Sequence, residues 1–255
     1  MDAGKGHVKT RKEGGVATIE FHHPQGNSLP GELLRSLAQA VTDAGRDPDA
    51  RVVVLRSAGE RTFCAGASFD ELRSIRDEDT GKHFFMGFAQ VINAMRKCPK
   101  FIIGRIQGRC VGGGVGLASA TDYCMAVEGA SVKLSELAVG IGPFVVGPAV
   151  ERKIGKSAFS ELAIDASRWR EASWAHSKGL FNELFTDAAT LDAALSERAG
   201  TLARSNPEAM AELKRVFWQG TDDWDVLLEE RAGISGRLVL SDFTRNALEA
   251  FAKGK

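Results

Sequence analysis

The feature that most restricts the fold is Val111-Gly112-Gly113-Gly114-Val115-Gly116-Leu117, which holds four glycines within five positions. Glycine loses more backbone entropy on folding than any other residue, so such a run belongs where the chain needs positive φ or where something must come very close to the backbone. The run follows Phe101-Ile102-Ile103-Gly104-Arg105-Ile106, an apolar stretch that reads as a strand, and precedes the apolar Leu117-Ala118-Ser119-Ala120. Two nucleotide-binding patterns fail on spacing. Counting G-x-G-x-x-G from Gly112 puts Leu117 at the third glycine, and a phosphate loop ending in Gly155-Lys156-Ser157 would have Val150 at its first glycine.

Strand and helix patterns alternate around this run. Val16 to Phe21 alternates, Arg51 to Arg56 is an apolar run between charges, and between them Leu33, Leu34, Leu37, Ala38 and Val41 recur at helical spacing up to Gly45. Buried strands alternating with helices predict an α/β fold. From Asn206-Pro207-Glu208, an N-cap with proline at the first helical position, the pattern is helical to the end. A further helix is predicted from Ser241-Asp242, with Phe243, Ala247, Leu248 and Phe251 on one face. The division expected is a core over 1–200 and a helical segment over 201–255.

Thirty-three basic residues against 33 acidic ones leave no net charge to attract nucleic acid or an anionic membrane. No run has the length of a signal peptide or membrane span, so a cytoplasmic protein with a small-molecule site is expected. Cys64, Cys98, Cys110 and Cys124 lack the spacing of a metal or redox pair and read as reduced, buried thiols. The five histidines likewise show no metal-ligand spacing, and no metal is expected.

Two further segments carry chemistry. In Phe63-Cys64-Ala65-Gly66-Ala67-Ser68-Phe69-Asp70-Glu71, the Ser68 and Glu71 pair forms a capping-box pattern that predicts a helix start just after Ala67. Small residues there let a ligand approach amide groups that carry the partial positive charge of a helix N-terminus. In Lys133-Leu134-Ser135-Glu136-Leu137 a carboxyl group sits among apolar neighbours, where its proton affinity rises and it can act as a general acid or base near neutral pH.

Taken together and in this order, these segments resemble the enoyl-CoA hydratase/isomerase (crotonase) family. The likeness runs from His23-Pro24-Gln25-Gly26-Asn27-Ser28-Leu29 through the three segments above to Gly155-Lys156-Ser157, Ala172-x-x-Ala175-x-x-x-Gly179-Leu180 and Phe251-Ala252-Lys253. It implies a spiral of ββα turns with a C-terminal helical segment used in assembly of a homotrimer or a dimer of trimers. It also implies an acyl-CoA substrate, with coenzyme A as part of the substrate and no separate cofactor. The family's oxyanion donors map onto the backbone N–H groups of Ala67 and Gly113, with Ala65, Gly66, Gly112 and Gly114 shaping the loops. Each such donor is worth about 3–4 kcal/mol where an enolate oxygen develops charge.

Of the family's two acid/base glutamates, one maps onto Glu136 and the other falls on Gly116. The missing side chain at Gly116 is expected to leave room for water or a bulkier, branched acyl group. The same Gly116 pattern, with Leu134-Ser135-Glu136 and Ile141-Gly142-Pro143-Phe144-Val145-Val146, resembles the family's methylglutaconyl-CoA hydratases. Phe84, Phe85, Phe88, Pro143 and Phe144 are expected at the acyl group, although Phe84, Phe88, Val91, Ile92 and Met95 also form an ordinary core stripe. Asp70 stands near a position that often carries lysine facing coenzyme A, so Arg61, Lys97, or a C-terminal Lys253 or Lys255 from a neighbouring subunit are candidates for that charge. Asp122 reads as structural. Hydration of a 2-enoyl-CoA is the activity expected, ahead of double-bond isomerisation by Glu136 alone and of a non-catalytic acyl-CoA scaffold.

Overall fold

The computed structural model describes residues 6–253. Its first strand, β1 (His7–Glu13), turns through Gly14 and Gly15 at positive φ and returns as β2 (Val16–His22). β1 is an edge strand with largely exposed side chains, so it lacks the apolar alternation that marks β2. Helix α1 (Gly31–Arg46) then buries Leu33, Leu34, Leu37 and Val41.

From here the chain repeats one motif: a long strand, a short strand, then helix. β3 (Val52–Ser57) and β4 (Thr62–Cys64) lead to α2 (Phe69–Ser74) and α3 (Glu78–Lys97). β5 (Ile102–Ile106) and β6 (Arg109–Val111) lead to α4 (Gly113–Ser119). β7 (Tyr123–Val127) and β8 (Ser131–Lys133) lead through a single 3-10 turn (Leu137–Val139) to α5 (Gly147–Ile164). The long strands join a six-stranded sheet in the order β1-β2-β3-β5-β7-β10, and the short ones a second sheet in the order β4-β6-β8-β9. Such stacked ββα turns make a crotonase-like spiral. β3, β5 and β7 run parallel and carry almost only buried side chains, because layers cover both faces.

The remaining elements are β9 (Arg170–Glu171), α6 (Ala172–Ser177), β10 (Glu183–Phe185), α7 (Ala188–Ala203), α8 (Pro207–Phe217), α9 (Trp224–Leu238) and α10 (Asp242–Lys253). Helical character therefore starts at Ala188, ahead of Asn206. α7 is anchored to the sheet by Arg105 on β5, whose Nε and Nη2 each lie 2.8 Å from an oxygen of Asp192. The expected division at residue 200 falls inside this helix. Asn206 caps α8 through Glu208 and Ala209 N–H. Asp122 ties α8 to the core: its carboxylate takes Ile102 N–H at 2.7 Å, Trp218 Nε1 at 3.0 Å and the buried Lys214 ammonium at 2.8 Å.

α9 lies against α3 where Gly81 meets Gly236; a Cβ at Gly81 would sit 2.8 Å from the Gly236 Cα. The helical segment thus folds back on its own chain. On α10 the face predicted from periodicity is corrected: Thr244 and Leu248 are buried, whereas Phe243 and Phe251 are largely exposed at the edges of that face. Phe243 approaches Gly140, and Phe251 stacks on Phe69 with ring centroids 4.4 Å apart, so α10 crosses α2 and the 3-10 turn. No helix among the described residues is long and apolar enough to cross a membrane.

Candidate active site

The spiral brings together segments that are far apart in sequence. β4, β6 and β8 are neighbours in the small sheet, with Cys64 opposite Cys110 and Val111 opposite Lys133. Whatever follows each short strand therefore lies side by side: Ala65 to Ala67, Gly112 to Gly113, and Leu134 to Glu136.

The first of these segments is pinned on both sides. Leu29 N–H donates to the Gly66 carbonyl at 2.8 Å, Ser68 N–H to the Leu29 carbonyl at 3.4 Å, and Ala65 N–H to the Gly26 carbonyl at 3.1 Å. Amide directions alternate along extended backbone, so with both neighbours turned toward Leu29 the Ala67 N–H points the other way. Gly66 has φ of 87°, and a Cβ on it would lie 2.9 Å from the Val111 carbonyl oxygen, so only glycine fits. The loop before it is held by Asn27, whose side-chain amide donates to the carbonyls of Ala58 and Thr62 at 2.8 Å each.

Ser68 caps α2 as expected, accepting Glu71 N–H at 3.4 Å, but the capping box is only half formed. The Glu71 carboxylate instead accepts Gly31 N–H at 2.7 Å, supplying the cap that Pro30 cannot offer to α1. Gly112 has φ of 51° and hands the chain to α4. Neither Ala67 N–H nor Gly113 N–H donates a hydrogen bond among the described residues. Both residues, with their amides unpaired at helix starts, line one small cavity.

Glu136 closes the opposite side. Val139 and Ile141 N–H groups both donate to its carbonyl, at 3.2 and 3.0 Å, which fixes the backbone that carries the carboxyl group. That group lies so near Gly112 that a Cβ there would be 2.9 Å from Glu136 Oε1. Oε2 is sealed from solvent with no hydrogen-bond partner among the described residues. Burial pushes the Glu136 pKa up to about 7, against a small opposing effect of its own backbone N–H. The carboxyl group is thus poised to change protonation near neutral pH.

The cavity has a volume of about 60 Å³ and is lined by Ala65, Gly66, Ala67, Gly112, Gly113, Phe88, Pro143 and Phe144 together with Glu136. Three of the expected residues lie outside it. Phe84 is turned about one residue's rotation away on α3 and packs edge-on against Phe85, at 5.4 Å, so Phe85 and Phe88 present the aromatic wall. Gly114 is pressed against β4, where a Cβ would lie 2.5 Å from the Cys64 carbonyl oxygen. The space expected at Gly116 is filled, since a Cβ there would lie 2.5 Å from Val146 Cγ1.

Sequence reasoning missed Phe69, Leu72, Val139 and Ser235 as lining residues. Ser235 comes from α9, and no local pattern could have placed that helix over the site. Among the expected contacts to coenzyme A, Lys97 is engaged with Asp225 at 2.7 Å, and Lys255 lies outside the described residues. The four cysteines are free and buried.

The enoyl-CoA hydratase/isomerase family model matches residues 11–243. The chain belongs to that family. A probable enoyl-CoA hydratase of Bacillus subtilis (strain 168) is 26% identical over 238 residues, 92% of each chain. A hexahydroindene-carboxyl-CoA hydrolase of Rhodococcus jostii (strain RHA1) is 33% identical over 132 residues, 52% of this chain and 51% of that one, so this match spans about half of either protein. The crystal structure of an enoyl-CoA hydratase from Mycobacterium avium is 28% identical and superposes with a TM-score of 0.84 over 100% of this chain and 98% of that one. The protein is therefore a crotonase-family enzyme of coenzyme A thioester metabolism.

Proposed function

We propose that the protein adds water to a short, branched 2-enoyl-CoA, with Glu136 as its only acid/base group and the Ala67 and Gly113 amides as oxyanion donors. The observation that carries this reading is that, among the described residues, Glu136 is the sole titratable side chain in a cavity lining that also holds Ala67 and Gly113, whose amides are unpaired. The Glu136 carboxylate takes a proton from water as the water oxygen bonds to the β-carbon. The electron pair of the double bond moves into the thioester, whose oxygen becomes an enolate held by the two N–H groups. The protonated Glu136 then returns its proton to the α-carbon, so one water is added and the carboxylate restored.

The methylglutaconyl-CoA-like pattern around Pro143 to Val146 supports a branched substrate. The nucleotide end is supported by a second groove of about 530 Å³ between α2 and α10, where Arg73, Arg76 and Arg245 outnumber Asp70 and Glu249. Leu72 lines both spaces, so a pantetheine arm leaving the cavity past Leu72 brings its phosphates to those guanidinium groups. Exposed Leu213, Val216 and Phe217 on α8 support self-association into a trimer.

A double-bond isomerase in which Glu136 carries a proton between the α- and γ-carbons is the second reading, favoured by the lack of a second carboxylate. Incubation of an enoyl-CoA panel, 3-methylglutaconyl-CoA and 3-methylcrotonyl-CoA included, in ¹⁸O-water separates the two. Hydration yields a hydroxyacyl-CoA carrying heavy oxygen and leaves straight-chain crotonyl-CoA a poorer substrate. Double-bond migration with solvent hydrogen exchange and no oxygen incorporation overturns hydration.

A further inference from the structure

Gly116 lies one turn along α4 from the Gly112–Gly113 turn, and its missing side chain is occupied by a neighbour. A Cβ built there would fall 2.5 Å from Val146 Cγ1 and 2.6 Å from Val146 Cβ, inside van der Waals contact for both atoms. Val146 is 4% exposed and leads into α5, its carbonyl accepting Val150 N–H at 3.1 Å, so its backbone is tied to that helix and cannot withdraw from α4. The Val146 side chain lines the cavity, whereas Gly116 behind it does not. The two positions are therefore one steric unit: the smallness of residue 116 admits the isopropyl group of residue 146, which forms the cavity wall. What remains is a cavity of about 60 Å³.

We propose that Val146, seated on Gly116, sets the acyl-chain length this pocket admits. The proposal rests on the acyl-CoA reading of the same cavity, and not on whether the reaction is hydration or isomerisation. A short acyl group ends against the Val146 methyls; a longer one would have to displace a side chain fixed between α4 and α5. Removing the methyls deepens the cavity toward Gly116, and once the Cβ at 146 is also gone a methyl at position 116 refills part of that space.

The test uses saturated acyl-CoA esters, which bind without turnover. Calorimetric titration of the parent with butyryl-CoA and octanoyl-CoA is expected to favour butyryl-CoA by at least about tenfold, the scale on which extra methylenes are rejected by a fitted pocket. Val146→Ala is expected to bring the two affinities within about threefold. Gly116→Ala in a Val146→Gly background, which lacks the Cβ that a Cβ at 116 would meet at 2.6 Å, is expected to return most of the parental preference, an effect that general loosening of the fold would not produce. As a variant of opposite sign, Val146→Ile is expected to weaken butyryl-CoA while sparing acetyl-CoA. A folded Val146→Ala protein with the parental butyryl-to-octanoyl ratio overturns the proposal while leaving the acyl-CoA reading intact. If Val146→Ala does not fold, a Val146→Ile protein that binds butyryl-CoA like the parent overturns it equally. A parent that binds neither ester better than free coenzyme A overturns the acyl-CoA reading, and this inference with it.

Discussion

Replacing Glu136 by glutamine removes one ionisable proton from a site that burial has made costly to charge. The Glu136 pKa stands at about 7 against an ordinary value of 4.5. Between those values the folded chain holds a proton that the unfolded chain has released, so the stability associated with this group is complete below about pH 4.5 and drains away as pH rises toward 7. Converted at 1.36 kcal/mol for each pH unit, the carboxylate costs the fold on the order of 3 kcal/mol at pH 8 and under about 1 kcal/mol at pH 5. Glutamine is neutral at both. Glu136→Gln is therefore expected to match the parent at pH 5 and to melt about 5–10 °C higher at pH 8, by the scaling for a chain of this size. In the same protein, turnover of the enoyl-CoA substrate should fall by about a hundredfold or more while binding of saturated esters persists, since general acid/base steps supply about that much. Thermal denaturation at the two pH values, paired with steady-state rates, tests both halves. Activity within a few-fold of the parent, or a melting temperature that is lower at pH 8, would refute the reasoning that this buried carboxylate is kept for chemistry at the expense of stability.

Parental kcat/KM should rise about tenfold from pH 6 to pH 8, because a base with pKa near 7 is about one-tenth ionised at the lower value and nine-tenths at the higher; a flat profile would place the proton transfer elsewhere. Gly113→Val should abolish turnover, since a Cβ there overlaps the buried Phe88 ring and moves the amide proposed as an oxyanion donor; a folded variant with parental rates would remove Gly113 from the site. Joint Arg73→Gln and Arg245→Gln replacement should raise KM for coenzyme A esters several-fold and leave KM for the matching pantetheine thioester unchanged, an unchanged ratio arguing against the arginine groove. Asp122→Asn should destabilise the chain by about 3–5 kcal/mol in chemical denaturation by leaving the Lys214 ammonium buried without its counter-charge; a loss under 1 kcal/mol would show that water or another group compensates.

The glycines and the carboxylate could be found in the sequence because each solves a local problem. Gly66 and Gly112 need positive φ, and Ser68 starts a helix through a neighbour three residues away. The long strands were equally legible, since burial on both faces writes an apolar run. The C-terminal boundary was less so: α7 has weak helical amphipathicity because alanines such as Ala189 and Ala193 occupy its exposed face, whereas α8 has a strong one, so attention fell on Asn206 rather than Asp187.

What the sequence determined by itself was the set of backbone conformations and which residues to consider as candidate reactive groups, because both depend on residues within a few positions of one another. What only the tertiary structure decided was which surfaces meet. Phe85 rather than Phe84 faces the cavity because α3 is rotated by its packing against α9. Glu71 caps α1, not its own helix, because Gly31 lies beside it in the fold. The vacancy at Gly116 became the seat of Val146 because α5 returns across α4, 30 residues later in the chain. A missing side chain is visible in a sequence, but what fills the space it leaves depends on contacts between distant segments, and those exist only once the spiral has closed.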